Sequence, residues 1–75
     1  MPGFELIDLA NGCRLGQYKS EHAALQDLWF AIQQHGEQAV ATIQLKYVDE
    51  HGHARTVAEG ATLARRASLA NQFRN

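Results

Sequence analysis

The stretch that decides the fold is Ser20–Gly36, SEHAALQDLWFAIQQHG. Leu25, Leu28, Trp29 and Ile32 recur at i, i+3, i+4 and i+7, which puts them on one stripe of an α-helix. Ala24 and Ala31 flank the stripe and let another element come close. Ser20 suits the N-cap, because its hydroxyl accepts from a free amide of the first turn. Glu21 follows at the positive end of the helix dipole, while Ala23 stands where a capping box needs Glu or Gln. His35, when protonated, favours the negative end, and Gly36 suits the following position, where positive φ is required. Phe30 breaks the pattern. At ~100° per residue it points roughly 140° away from the stripe, on a face shared with Ala23, Gln26, Asp27 and Gln34. An aromatic placed there is either a lone surface residue or a contact to another subunit, another protein or the C-terminal tail.

Hairpins flank this helix. Asn11-Gly12 is the strongest hairpin signal in the chain. A three-residue loop, Ala10-Asn11-Gly12, sets Leu9 opposite Cys13 and Ile7 opposite Leu15 on one face. On the other it pairs Asp8 with Arg14 and Phe4 with Tyr18, and it leaves Gly16 opposite Leu6 with room for a large neighbour such as Trp29. After the helix, Glu37–Val40 is a short segment compatible with a helical turn. Thr42–Val48 then alternates, with Ile43, Leu45 and Tyr47 on one face and Thr42, Gln44 and Lys46 on the other. A matching loop, Glu50-His51-Gly52, sets Leu45 opposite Val57, Tyr47 opposite Arg55 and Asp49 opposite His53. From Ala61 to about Ala70 a second helix turns Leu63, Ala64, Ala67 and Ala70 inward, with Leu69 and Phe73 on an adjacent stripe.

The order strand, strand, helix, strand, strand, helix makes two ββα units. It predicts an α+β domain over residues 1–75, with a four-stranded, mainly antiparallel sheet and two helices packed on one face. Residues 1–3 and 71–75 read as loose ends. Strand order stays open. A wholly antiparallel sheet has the first strand beside the third, or the second beside the fourth; a parallel contact between the second and third is the alternative.

Asp8, Gly12, Leu15-Gly16, Ala24-Leu25, Gly36, Gly52, Ala58-Glu59-Gly60 and Leu63 together resemble a pattern in small uncharacterised bacterial proteins of ββαββα type. The resemblance covers most of residues 4–66. It rests on turn glycines and core positions, so it implies a fold and carries over no activity and no functional residue. The arrangement also resembles small antitoxin-type domains with a sheet and one dominant helix, again without a shared site.

At 75 residues the chain buries only about 60% of its unfolded surface, so its core is small. Cys13 is the only cysteine, which excludes an internal disulfide and fits a reducing, cytoplasmic compartment. The N-terminus shows neither the basic region nor the apolar run of a signal peptide, and no segment approaches the ~18 apolar residues of a membrane span. A net charge of −1 argues against a strongly electrostatic nucleic-acid binder. The charge is unevenly placed, however. Seven of the eight acids precede residue 51, and four of the seven cations, Arg55, Arg65, Arg66 and Arg74, follow it.

Side chains able to do chemistry are few. His51 and His53 flank a turn glycine as weak metal candidates, with His22 and His35 as further ligands, but no other ligand stands at a metal-motif spacing. The bland reading is a solvated turn with His53 paired to Asp49. Cys13 beside Arg14 has the surroundings that lower a thiol pKa, yet nothing in the sequence places a base near it. Asp49-Glu50 is a carboxylate pair on a turn, and the glycines are dispersed, so no phosphate loop forms. Arg65-Arg66-Ala67-Ser68 matches a basic-directed kinase site by coincidence inside a helix. The sequence therefore predicts a non-enzymatic, cofactor-free interaction or regulatory module, with a protein partner or a second copy of itself. Its interaction candidates are Phe30, Asp27, Gln34, Arg65 and Arg66. The alternative is a nucleic-acid-binding regulator using Arg55, Arg65, Arg66 and Arg74; a metal protein or small enzyme comes third.

Overall fold

The computed structural model describes residues 2–72. Its strands are β1 (Gly3–Asp8), β2 (Cys13–Tyr18), β3 (Ile43–Val48) and β4 (Ala54–Glu59), and its helices are α1 (Glu21–His35) and α2 (Gly60–Gln72). A short 3₁₀ helix, Glu37–Val40, links α1 to β3. Gly3 is thus already in β1, and Asn71 and Gln72 are still in α2, where the sequence reads loose ends.

The strands form one antiparallel sheet in the order β2-β1-β3-β4. Both hairpins therefore meet through their first strands, which decides the open question of strand order. β2 and β3 run parallel but are kept apart by β1, so α1 spans from an edge strand across to an inner one. Gly16, Leu6, Leu45 and Ala58 make one row across all four strands. From that row the core extends to Ile43, Val40, the α1 residues Ala24, Leu25 and Leu28, and the α2 residues Leu63, Ala64 and Ala67. The buried alanines let the two helices approach closely over one sheet face.

Caps behave as the residue types demand. The Ser20 hydroxyl accepts from the Ala23 amide at 3.1 Å. Gly36 turns the chain at φ 86°, and its amide donates to the Ile32 carbonyl at 2.7 Å. Each hairpin turn is organised by an aspartate that accepts from amides two or four residues on. Asp8 accepts from Ala10, and Asp49 accepts from both His51 and His53, all at 2.9 Å.

Register is where sequence and structure part. The first hairpin keeps Phe4 opposite Tyr18 and Leu6 opposite Gly16, but a bulge at Leu15 then places Ile7 opposite Arg14 and Asp8 opposite Cys13. The expected pairs Ile7–Leu15, Asp8–Arg14 and Leu9–Cys13 do not form. A second bulge, at Val57, keeps Tyr47 opposite Arg55 but sets Leu45 opposite Ala58 instead of Val57. β1 is apolar on both sides, so β3 decides: its Leu45 and Tyr47 pair with Leu6 and Phe4 and draw them into the core side. Leu9 and Leu15 are left 52% and 53% exposed. Room at Gly16 is taken by the Tyr18 ring, whose hydroxyl would lie 2.7 Å from an added Cβ, and not by Trp29.

Candidate functional site

The outer face of α1 carries the candidate site. Phe30 is 63% exposed, more than any other large hydrophobic among the described residues. It borders a hollow of about 530 Å³ whose lining also includes Asp27, Gln34, Gln26 and Trp29. Three interaction candidates, Phe30, Asp27 and Gln34, are therefore brought together. Helical spacing alone puts them on adjacent turns, which is why the sequence shows them.

Two contributors are less legible. Trp29 belongs to the apolar stripe, but it is only partly buried, and its outer edge reaches the hollow. Asn71 closes the far side from the end of α2, where its amide donates to the Ala67 carbonyl at 2.8 Å. No local signal marks Asn71, because its position depends on how α2 crosses α1.

Asp27 is held from the sheet. The Tyr18 hydroxyl donates to Asp27 Oδ2 at 2.8 Å, tying the end of β2 to the middle of α1. Burial pushes the Tyr18 phenol up to about 12, and the hydrogen bond and charge of Asp27 act in the same direction. Tyr18 also lines a smaller hollow, about 280 Å³, with Phe4, Val48 and Lys19. The Tyr18–Asp27 bond thus joins residues lining the two hollows.

The remaining candidates are dispersed. Arg66 pairs with Glu21 at 2.7 Å, joining α2 to α1. Arg65 lies with Glu37, Ser68 and Leu69 around a separate hollow. Arg55 stacks over the Tyr47 ring, 5.6 Å from its centroid. Arg74 and Phe73, and with them the tail contact, fall outside the described residues. His51 and His53 have ring centroids 6.3 Å apart, and His53 Nδ1 lies 3.7 Å from Asp49 Oδ2. His22 and His35 sit near opposite ends of α1, ~20 Å apart along its axis at ~1.5 Å per residue. Among the described residues no three His, Cys, Asp or Glu side chains assemble as a metal site. Cys13 is exposed, and the Arg14 beside it is bridged to Glu5 at 3.2 Å.

The sheet face away from the helices carries Ile7 among polar side chains, several of them paired with one another. Glu5 accepts from Arg14 and from Gln17, at 3.2 and 3.3 Å, and stands opposite Lys46. Gln44 donates to Glu59 at 2.7 Å. Among the described residues, no helix is long and apolar enough to cross a membrane. Comparison with protein families, with curated proteins and with solved structures gives no match to this chain.

Proposed function

We propose that this chain is a small protein–protein interaction or regulatory module without catalytic activity of its own, and that it makes contact through the outer face of α1. The observation that carries this reading is Phe30, an aromatic left 63% exposed next to Trp29 on a face where, among the described residues, Asp27 is the only charge lining the hollow. Interface cores are enriched in aromatics and depleted of charge, and their binding energy concentrates in a few such anchors. Elsewhere several charged side chains serve the fold: Glu5 holds Arg14, Glu21 holds Arg66, and Asp49 shapes a turn. The lone Cys13 suits a reducing, cytoplasmic location.

Phe30→Asp tests the reading, because the substitution changes the face while leaving the buried stripe intact. The far-UV spectrum should match wild type. Association should be lost, read as self-association by sedimentation and as proteins retained on the immobilised chain. Wild type and variant behaving alike in both assays would overturn the assignment.

A further inference from the structure

Resting on that interaction role, we propose that the occupant of the face is a second copy of this chain, docked α1 against α1 in antiparallel fashion about a two-fold axis at Phe30. Charge is the first argument. Among the described residues the hollow is lined by two aromatics, by amides and by one carboxylate, and that carboxylate already accepts from Tyr18. These residues offer a strongly charged partner no set of counter-charges. Amide side chains both donate and accept, so a surface rich in them can complement its own copy.

Helix geometry is the second argument. With antiparallel helices and the axis at Phe30, position i faces position 60 − i of the other copy. Gln26 then meets Gln34 of the partner, Asp27 meets Gln33 of the partner, and Phe30 meets its equivalent. No like charges face one another, and the aromatic lies at the centre, where anchors contribute most.

The other surfaces are the third. β2 and β4 are the sheet edges, and each carries a bulge, at Leu15 and at Val57. Bulged edges resist the addition of another strand. On the open sheet face Glu5, Arg14, Gln17, Gln44 and Glu59 are taken up in pairs with one another. Four of the eleven buried hydrophobics among the described residues are alanines, so the chain has a slender core of the kind that association supplements.

The test is sedimentation of the full chain over a micromolar concentration range, with cysteine cross-linking as an independent readout. Wild type should approach twice the 8.3 kDa chain mass. Phe30→Asp should weaken association at least ~10-fold with an unchanged far-UV spectrum. In a Cys13→Ser background, chains carrying Gln26→Cys mixed with chains carrying Gln34→Cys should oxidise to a disulfide-linked dimer, and either alone should do so far less. Monomeric wild type, a dimer indifferent to Phe30→Asp, or equal cross-linking in the unmixed samples would each overturn the two-fold arrangement. If wild type is monomeric yet retains a protein that Phe30→Asp does not, self-association fails and the broader interaction role stands. If neither association nor retention responds to the substitution, both fail.

Discussion

The two sides of α1 are built from the same fifteen residues and do opposite work. The inner side places Ala24, Leu25 and Leu28 at 4% exposure or less, against β-strand residues and the alanines of α2. Across the helix, Phe30 stands 63% exposed among amides. The difference teaches that apolarity alone does not mark the core: Leu28 and Phe30 are both large and apolar, and helical phase separates them. Substitutions on the inner side should therefore act on stability. On the outer side they should act on association and leave the stability of the single chain nearly untouched.

The contrast can be broken most forcefully from inside. Leu28→Ala removes a buried side chain and opens a cavity in a small core, and it should cost about 2–5 kcal/mol, measured by urea denaturation. Gly36→Ala comes next. At φ 86° an added Cβ is strained whatever the space, and the variant should lose about 1–3 kcal/mol through the end of α1.

Tyr18→Phe sits on the boundary between the two sides, and removing its hydrogen bond to Asp27 should cost about 1 kcal/mol. Its pH dependence is more telling. The folded phenol titrates at about 12 and the unfolded one near 10, so between these values the unfolded chain binds fewer protons. The contribution of Tyr18 is complete below pH ~10 and is lost as pH rises from ~10 to ~12. The stability difference between wild type and Tyr18→Phe should therefore be constant below that window and shrink within it. A difference that stays flat to pH 12 would contradict the burial assigned to this phenol. The smallest effect on stability belongs to Phe30→Asp, which, compared at dilutions where both proteins are single chains, should shift it by no more than ~0.5 kcal/mol, as befits an exposed position.

Much of this was legible in the residues. Ser20, the i, i+3, i+4, i+7 stripe and Gly36 define α1 to within a residue, and the off-stripe phase of Phe30 follows from the same periodicity. The two hairpins announce themselves through Asn11-Gly12 and Gly52. The bulges at Leu15 and Val57 were not legible, because a bulge is set by how a strand must twist to meet its neighbours. Nor was the face presented by β1, where Phe4 and Leu6 compete with Ile7 and Leu9. That choice falls to β3, whose cleaner alternation fixes the row Gly16–Leu6–Leu45–Ala58. Within the candidate site, the residues from α1 were accessible to periodicity. Asn71 and the Tyr18–Asp27 bond depend on long-range packing that no local spacing encodes.

The most direct measurement is the sedimentation mass of wild type against Phe30→Asp, taken on samples with identical far-UV spectra. Wild type at twice the 8.3 kDa chain mass and the variant at the single mass would support an outer α1 face that joins two copies. Equal masses for the two proteins would contradict it.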